Sequence, residues 1–399
     1  MTKLLDLKNN SIIAINQNNY TKKDNYKKVC YLDTDNITNN KINTLLKIDL
    51  TKEKLPSRAK RKCSINSIIY SSVRPNQHHF GIIKEIPKNF LVSTAFIVID
   101  VIDLEKLDPN YLYYYITQDK ITHYLQRIAE CGTSSYPSIT PLDFLNIKIK
   151  LYPLETQQKI ARTLSVLDQK IENNHKINEL LHKILELLYE QYFVRFDFLD
   201  ENNKPYQTSG GKMKFSKELN RLIPNGWSVR FLNHKIVSTY QPKTISKTLL
   251  NNSYSYSVYG GGGIIGRFTE YNHEQSEFII SCRGQCGISY LTLPKSWITG
   301  NAMVIRPTKS YTSKTYLYHT IKKYKLTNYI TGSVQPQITR QNLSTMPILI
   351  PKRKILNKWN NISSLLWNLI HNNMQSTQTL TALRDFLLPL LLKQQVKPQ

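Results

Sequence analysis

The chain has 399 residues, 40% of them hydrophobic, and its 54 Lys and Arg against 28 Asp and Glu give a formal net charge of +26. This length allows two to three domains, each with its own core. The most apolar stretch, residues 386–392, is far shorter than the roughly 20 residues of a membrane span. The five cysteines include no C-x-x-C pair, which excludes a recognisable zinc site or disulfide framework. We therefore expect a cytoplasmic protein with reduced thiols, no metal site and no membrane contact.

The positive charge is concentrated in three of four segments. Residues 1–154 carry +8, residues 155–200 carry −2, residues 201–350 carry +14 and residues 351–399 carry +6. Basic globular segments beside a nearly neutral helical one predict a polyanionic ligand, most simply nucleic acid. The alternative is an AT-rich genome, which enriches Lys, Asn and Ile without a functional reason.

The first predicted module, residues 1–153, mixes short strands with helices. Runs rich in β-branched residues predict strands at 11–15 and 96–101, and residues 110–129 predict a helix. The module closes with GTSSYPSIT, residues 132–140, ahead of an apolar run.

The tetrapeptide DPNY, which begins at Asp108, is close to the N/D-P-P-Y/F/W motif of amino-methyltransferases. It lacks the second proline, and no glycine-rich cofactor loop precedes it. We interpret Asp108 as the N-cap and Pro109 as the first residue of the following helix.

A long helix is predicted next, from about residue 155 to about residue 196, in the segment 154–200. Apolar side chains recur at alternating spacings of four and three, as in a coiled-coil seam. Such a helix would be roughly 60 Å long and would need a partner to cover its seam. The seam positions are Ile160, Leu164, Leu167, Ile171, Asn174, Asn178, Leu181, Leu185, Leu188 and Tyr192. A separate face carries the charged residues Glu172, Lys176, Glu179, Lys183 and Glu186 and predicts either a solvated surface or a docking surface.

The second module, residues 201–350, contains predicted strands at 278–282 and 303–307 and a predicted helix at 314–329. Its glycine run GGGGIIG, residues 260–266, includes the spacing G-x-G-x-x-G, but the following RFTEYN predicts a strand or turn rather than the helix of a dinucleotide site. We expect a tight loop that brings Arg267 close to a phosphate backbone.

The second module repeats the first. GSVQPQIT matches GTSSYPSIT with one single-residue gap, at an offset of 199 residues from Thr140 to Thr339. Upstream, IIYSSVRP (68–75) matches EFIISCRG (277–284), and YLYYYI matches YLYHTI. The period excludes a solenoid, whose repeats are roughly 20–50 residues long. It predicts two similar modules with approximate two-fold symmetry.

The offset of 199 also predicts a second long helix in residues 351–399. Pro389 is expected to stop or kink it. Asn174 and Asn373 share a repeat position, so they either meet across an antiparallel pair and fix its register or lie at the wet edges of their stripes. The predicted seam is Trp359, Ser363, Leu366, Ile370, Asn373, Thr377, Leu380, Arg384, Leu387 and Leu391, and Ser363, Thr377 and Arg384 interrupt it.

Several segments resemble one known family. The sequences are PLETQQKIARTLSVLDQKIENN (153–174), QYFVRFDF (191–198), LIPNGWSV (222–229) and SVYGGGGIIG (257–266), together with the two closing segments. They resemble the specificity subunit of type I restriction-modification systems, and the resemblance covers nearly the whole chain.

The resemblance implies an α+β fold in which two similar target-recognition domains, residues 1–153 and 201–350, are separated by a pair of long antiparallel coiled-coil helices, with a pseudo-two-fold internal repeat. It implies that each domain reads one half of a split double-stranded DNA target and that the helices dock two methyltransferase subunits, with restriction subunits in the full complex. It also implies that the chain is not catalytic. S-adenosylmethionine, ATP and Mg would belong to the partner subunits.

Polar and basic residues at repeated positions are the candidates for DNA contact. Ser72 and Arg74 are matched with Ser281 and Arg283. Arg and Gln can form the bidentate hydrogen bonds that distinguish G and A in the major groove. For both arginines the alternative is a salt bridge or a turn anchor. The candidate set is Ser72, Arg74, Ser134, Ser135, Tyr136, Ser138, Tyr259, Arg267, Arg283, Gln285, Ser333, Gln335, Gln337 and Arg340.

Two other functions remain open. The 25 tyrosines and the basic charge would suit an RNA-binding or RNA-modification scaffold, although no RRM or KH signature is present. A purely structural coiled-coil adaptor is the third alternative, and the basic modules argue against it.

Overall fold

A computed structural model of the chain describes residues 1–131, 136–251, 254–332 and 335–397. The chain divides into two compact units. Unit 1 consists of Met1–Asn173 and Thr377–Gln399, and unit 2 consists of Asn174–Ser376. Each unit contains one of the predicted modules and a part of both long helices.

Unit 1 is built from short strands, four short helices and the beginning of a long one. Its strands are β1 (Thr2–Lys3), β2 (Ile13–Ile15), β3 (Lys28–Leu32), β4 (Ile37–Thr38), β5 (Lys41–Ile42), β6 (Leu46–Asp49), β7 (Ala59–Arg61), β8 (Ile68–Ser71), β9 (Phe80–Ile82), β10 (Phe90–Ser93), β11 (Phe96–Val101) and β12 (Lys148–Ile149). Its helices are α1 (Leu4–Asn9), α2 (Pro109–Ile116), α3 (Asp119–Glu130), α4 (Pro141–Leu145) and the first part of α5 (Leu154–Tyr189). A π-helical turn, Glu190–Val194, follows α5 in unit 2.

Unit 2 has the same mixture of elements. Its strands are β13 (Met213–Ser216), β14 (Arg221–Pro224), β15 (Ser228–Phe231), β16 (Val237–Tyr240), β17 (Tyr256–Gly260), β18 (Gly263–Phe268), β19 (Phe278–Ser281), β20 (Ser289–Leu291), β21 (Trp297–Ile298), β22 (Ala302–Pro307), β23 (Ile330–Thr331), β24 (Gln337–Ile338) and β25 (Pro347–Ile350). Its helices are α6 (Lys314–Lys322), α7 (Arg340–Ser344) and most of α8 (Arg353–Leu392), which ends in unit 1.

The two units share a sheet topology. An antiparallel sheet has the order β2-β11-β8-β9 in unit 1 and β16-β22-β19-β20 in unit 2. In unit 1, β3 pairs in parallel with β10 and antiparallel with β6. In unit 2, β17 likewise pairs in parallel with β21 and antiparallel with β18. The pair β1-β12 recurs as β15-β25. The α+β class and the internal repeat predicted from the sequence are confirmed at the level of topology.

The central strands are apolar on both faces because each face packs against another layer. In β11, Ile97 and Ile99 join the cluster that contains helix α2, whereas Phe96 and Val98 pack with residues of β3 and β10. This alternation follows from the two-residue period of a strand. In unit 2, β19 divides in the same way between the α6 side and the β17–β21 side. Each central sheet is therefore packed on both faces, and this packing holds the loops at its ends in place.

The first tyrosine of each repeated helix links that helix to the end of its module. Asp108 Oδ1 accepts a hydrogen bond from Tyr111 N at 2.8 Å, and Pro109 is the first residue of α2, which confirms the capping interpretation of DPNY. The Tyr111 hydroxyl donates to Lys150 O at 2.5 Å. In unit 2 the equivalent Tyr316 donates to Leu349 O at 2.7 Å.

In unit 1 the seam of α5 packs antiparallel against the end of α8. Ile160 and Leu164 are fully buried in one cluster with Leu391 and the partly buried Leu387. Just before α5, the Tyr152 hydroxyl donates a hydrogen bond to Leu392 O at the end of α8. Further along α5, Asp168 forms an ion pair with Arg384, which precedes Leu392 in α8, so the two helices run in opposite directions. The remaining predicted seam positions of this part are half-buried, namely Leu167, Ile171, Thr377 and Leu380.

In unit 2 the same two helices pack along their predicted seam. Leu185, Trp359 and Ile370 are buried in one cluster, against which Leu181, Leu188, Tyr192 and Leu366 pack. The Asn178 Nδ2 amide lies 3.4 Å from Ile370 O, and the rings of Tyr189 and Trp359 are 5.8 Å apart, so the segments run antiparallel.

The asparagines do meet inside the seam. Asn373 Nδ2 donates to Asn178 Oδ1 at 2.9 Å, and Asn174 Nδ2 donates to Asn373 O at 3.5 Å. All three side chains are half-buried. Because an unpaired buried amide is costly, this contact favours one register of the helices.

Two residues that interrupt the predicted seam have polar partners. Ser363 is buried, and its Oγ lies 2.8 Å from Thr315 Oγ1 of α6. Arg384 pairs with Asp168 at 3.0 Å, and Tyr114 donates a hydrogen bond to the same carboxylate at 2.6 Å. Burial would lower the pKa of Arg384, but Asp168 and Asp385 raise it above its ordinary value. The interruptions are therefore contacts between helix and module or between helices.

Pro389 does not stop α8, which continues to Leu392. Of the two predicted outcomes, a stop or a kink, the stop is wrong, since the helix continues for three residues beyond Pro389. The backbone recovers at once, since Lys393 N donates to Pro389 O at 3.1 Å.

The five cysteines are free thiols. No helix among the described residues is both long and apolar enough to cross a membrane. The same residues contain no group of three or more His, Cys, Asp or Glu side chains that could hold a metal ion.

Candidate nucleic-acid interface

In unit 1 the closing segment lies beside the loop that follows β8. Val73 and Ser138 form an isolated antiparallel bridge. Arg74 N donates to Pro137 O at 2.9 Å, and Ile139 N donates to Ser72 O at 2.8 Å. We call residues 72–74 and 136–139 the loop pair of unit 1. It brings together predicted residues that are more than 60 positions apart in sequence.

Arg74 is the exposed cation of this loop pair. Its backbone is left-handed, with φ at 46°, and its guanidinium carbon lies 5.6 Å from the centroid of the Tyr136 ring. A cation–π contact orients the guanidinium and leaves its positive charge in place. Tyr136 is 66% exposed, and Ser138 is exposed beside it. These three side chains are therefore accessible to a ligand.

Ser72 of this loop pair is hydrogen-bonded within the fold. Its Oγ donates to Ala95 O at 2.8 Å, and its own N–H donates to the same oxygen at 2.8 Å. The side chain is half-buried. Ser72 thus fastens the loop to the turn before β11, and its hydroxyl proton is already committed.

Unit 2 contains the same arrangement. Arg283 and Gln337 form an isolated bridge, and Ile338 N donates to Cys282 O at 3.1 Å. We call residues 282–285 and 335–340 the loop pair of unit 2. The candidate side chains Arg283, Gln285, Gln335, Gln337 and Arg340 are all exposed.

Neither arginine of the loop pairs forms, with any residue that the structure describes, the salt bridge considered as an alternative. Within the described ranges, Arg74 and Arg283 have no carboxylate partner among the ion pairs.

Gly261 packs closely on the loop pair of unit 2, because a Cβ added there would lie 2.9 Å from Arg283 O. The glycine run therefore permits a close approach of two backbones.

The predicted matching of the two arginines is wrong by one residue. The bridges make Val73 equivalent to Arg283, and the next residues, Arg74 and Gly284, both have a left-handed backbone, with φ at 46° and 73°. Likewise Ser281 corresponds to Ser71, since each follows the same strand pairing. The similar sequences SVR (72–74) and SCR (281–283) favoured the incorrect alignment. The two units therefore present arginine from non-equivalent backbone positions.

Tyr259 is a correction to the predicted set. It is 3% exposed, in the core between β17 and β22, and its hydroxyl accepts a hydrogen bond from Leu293 N at 3.0 Å. Burial raises its pKa to about 12. Side chains of a strand alternate between its two faces, and Tyr259 lies on the face of β17 that packs into the core.

Arg267 is half-buried on the hairpin β17–β18. Its Nη2 donates to Ser255 O at 3.2 Å, and burial lowers its pKa. The hairpin turns at Gly261 and Gly262, so the glycine run forms a turn as expected. Ser134, Ser135 and Ser333 lie outside the described residues.

The sequence reasoning missed an apolar stripe on the outside of α5 in unit 2. Ile177, Leu180, Ile184 and Leu187 are all exposed, with Leu180 at 61% and Leu187 at 58%. They lie about 100° around the helix from the seam. We call them the outer stripe of α5. Their spacing of three and four residues repeats the seam pattern, and that second pattern was the available signal.

A related stripe lies on α8. Ile362, Leu365 and Leu369 are exposed, with Leu365 at 62%, and they have the same angular relation to their own seam. We call them the outer stripe of α8. Glu186, one of the charged residues predicted to form a solvated or docking surface, is exposed and forms an ion pair with Lys322 of α6.

The comparisons with known proteins agree on one family. The family described as "Type I restriction modification DNA specificity domain" matches this chain twice, at residues 5–183 and 224–382. The type I restriction enzyme HindI specificity subunit of Haemophilus influenzae is 23% identical over 445 aligned residues, covering 93% of this chain and 95% of the relative. The MjaIX specificity subunit of Methanocaldococcus jannaschii is 23% identical and covers 73% of this chain and 70% of its own.

A solved structure shares the fold. The crystal structure of the S subunit of a type I restriction-modification system from M. genitalium superposes with a TM-score of 0.58, at 17% identity. The match covers 98% of this chain and 99% of that one.

Proposed function

Since the chain belongs to the family of type I restriction-modification DNA specificity proteins, we propose that unit 1 and unit 2 each read one half of a bipartite double-stranded DNA target. Recognition of DNA by specificity subunits within complexes with methyltransferase and restriction subunits is the function of this family. The assignment of half-sites to the two units is our proposal. It rests on a single observation, the loop pair that occurs in both units.

Each loop pair supplies side chains that suit base recognition. Arg283 and Gln337 are exposed and adjacent across a backbone bridge in unit 2, and in unit 1 the exposed Arg74 follows Val73, the bridge partner of the exposed Ser138. A guanidinium forms two hydrogen bonds with guanine, and a carboxamide forms two with adenine. The one-residue shift between Arg74 and Arg283 supports different half-sites for the two units.

The charge distribution supports DNA over an uncharged ligand. Residues 201–350 carry +14 and residues 1–154 carry +8. Neutralising phosphates with such side chains releases counterions and gives a strong salt dependence. The RNA-scaffold alternative gains no support from the family or the relatives, whereas the DNA interpretation does.

We also propose that the outer stripes of α5 and α8 dock two copies of a methyltransferase subunit. Apolar residues at heptad-like spacing on the outside of a helix are costly to leave in water and typical of a helix-binding partner.

In this proposal the chain itself catalyses nothing. Its residues bind and orient DNA, while S-adenosylmethionine, ATP and Mg are used by the methyltransferase and restriction subunits. The experiment is to express the chain with its methyltransferase partner and map the methylated adenines of the genome. A split motif with a fixed spacer supports the proposal. A single uninterrupted motif, or equal binding of RNA and DNA by the purified complex, would count against it.

A further inference from the structure

In unit 1 four chain segments lie side by side at one end of the central sheet. The closing segment contacts the loop after β8, and that loop contacts the turn before β11 through Ser72 and Ala95. The fourth segment follows on the outside, because Thr94 N donates to Arg58 O at 2.8 Å. The order is therefore 136–139, 72–74, 94–95 and 56–60. We call residues 56–60 the side segment of unit 1.

Unit 2 has four segments in the same order. Ile338 contacts Cys282, and Cys282 N donates to Asn301 O at 2.9 Å. The next contact is with Gly300, where an added Cβ would lie 2.7 Å from Thr244 Oγ1 and 2.9 Å from Pro242 O. Residues 241–244 are thus the side segment of unit 2. Gln241 strengthens the connection, because its Nε2 donates to Cys282 Sγ at 2.8 Å.

Both side segments carry exposed cations. Arg58 and Lys60 are exposed in unit 1, and Lys243 is exposed in unit 2. Lys243 is held between the two residues that pack on Gly300, and the carbonyl of Arg58 is fixed by Thr94. Across the described residues, none of these three cations forms an ion pair with a carboxylate. Each cation therefore keeps its full charge beside a loop pair.

We propose that Arg58, Lys60 and Lys243 bind the phosphates that flank each half-site and so set the position of the loop pairs on the duplex. In both units the side segment, which lies outside the turn before β11 or β22, carries positive charge. The two side segments nevertheless differ in sequence and length. Charge without a shared sequence is what phosphate contact requires, because phosphates carry no sequence information. A lysine on a flexible stem acts as a point charge, which suits a phosphate better than the planar edge of a base.

This inference rests on the proposed function, and a salt titration separates the two. The complex of the chain with its methyltransferase partner is bound to a duplex that carries the mapped target and to a scrambled duplex of equal length. The variants are Arg58→Gln with Lys60→Gln, and Lys243→Gln. We expect affinity to fall by the same factor for both duplexes. We also expect the slope of log K against log salt to become shallower by about 1 for each phosphate-binding cation that a variant removes.

Two matched variants serve as controls. Lys88→Gln and Lys235→Gln each remove one positive charge from an exposed position next to the start of β10 and of β16, away from the side segments. They should leave the slope unchanged. The inference is overturned if the side-segment variants keep the wild-type slope, if the controls change it equally, or if only target binding falls, which would indicate base contact. If the wild-type complex prefers neither duplex, the proposed function fails, and the slopes on either duplex still decide the phosphate contacts.

Discussion

At the scale of single residues, specificity should depend on the exposed side chains of the loop pairs. Arg283→Ala and Gln337→Ala each remove a potential bidentate contact, so each should reduce discrimination at one base of one half-site by roughly 1–3 kcal/mol. The measurement is the ratio of dissociation constants for the target and for single-base variants of it. Arg230→Ala, which removes an exposed arginine from β15 instead, is the control and should leave the ratio unchanged. Changes below about 0.5 kcal/mol for both loop-pair variants would rule out base recognition by these residues.

A second residue-scale prediction concerns two histidines of unit 2, the buried His319 and the half-buried His371. His319 stacks on the Tyr189 ring at 5.5 Å and lies 5.3 Å from that of Trp359, and His371 lies 5.9 Å from that of Trp367. Burial, together with nearby basic side chains, lowers the pKa of His319 to about 3 and that of His371 to about 4. Lys322, Lys323 and His182 act on His319, and Lys314 and His182 act on His371.

The sign follows from the lowered pKa values. The unfolded chain takes up protons below pH 6.5, whereas the folded chain resists protonation until pH about 4 to 3. The free energy of unfolding should therefore be highest above pH 6.5 and decrease as the pH falls toward 4. Thermal melts of the wild type and of His319→Gln, recorded from neutral to acidic pH, test this. The substitution should flatten the decrease, and parallel curves for the two proteins would contradict the expected burial of neutral His319.

At the scale of elements, the long helices combine a seam that the sequence predicts with a surface that it did not reveal. The seam was recognisable because burial at every third or fourth position leaves a strong periodic pattern. The outer stripes have a similar spacing, but in α5 charged residues lie next to their members in the sequence. Only the exposure of these side chains in the structure distinguishes the stripes from the seam. Ser363 and Arg384 looked like interruptions because their partners, Thr315 and Asp168, are distant in sequence.

The same reasoning explains the errors in the modules. The repeat of strands and helices could be predicted from short similar segments, and the sheet order follows it. The one-residue shift between Arg74 and Arg283 could not be predicted, because only the backbone bridges define it and the similar sequences favour another alignment. Tyr259 was misplaced for a related reason, since only the register of β17 shows which face a residue occupies.

The outer stripe of α5 should be required for partner binding. Leu180→Asp with Leu187→Asp places two charges in an apolar contact, so co-purification with the methyltransferase subunit should be lost or reduced at least tenfold. Arg162→Asp changes the charge at an exposed position of α5 in unit 1, away from the stripe and from the charged residues considered for docking, and is the control. Circular dichroism should show that both variants retain their helices. Normal partner binding by the double variant would show that the docking surface lies elsewhere.

The length of the helix pair should determine the spacer. Inserting one heptad into α5 beside Asn174 and one into α8 beside Asn373 adds about 10 Å to each helix, or roughly three base pairs of duplex. The spacer of the methylated motif should lengthen, and both half-sites should keep their sequences. Inserting the heptad into α5 alone disrupts the seam and should abolish methylation. An unchanged spacer in an active double-insertion variant would contradict the role of the helices as a ruler.

At the scale of the whole molecule, the central claim is that unit 1 and unit 2 read DNA independently. The repeated topology, the two loop pairs and the twofold match to one family domain all support it. If each unit has its own recognition surface, a change confined to one of them should not alter what the other reads.

The most direct test is an exchange of residues 205–350 for the corresponding segment of a relative with a different target. The chimeric chain is expressed with the methyltransferase partner in a host without other adenine methylation, and methylated positions are mapped by sequencing. We predict that one half of the motif changes to that of the relative, while the other half and the spacer remain those of the wild type. A chimera that methylates DNA but changes both halves at once would show that the two units read the target as one surface.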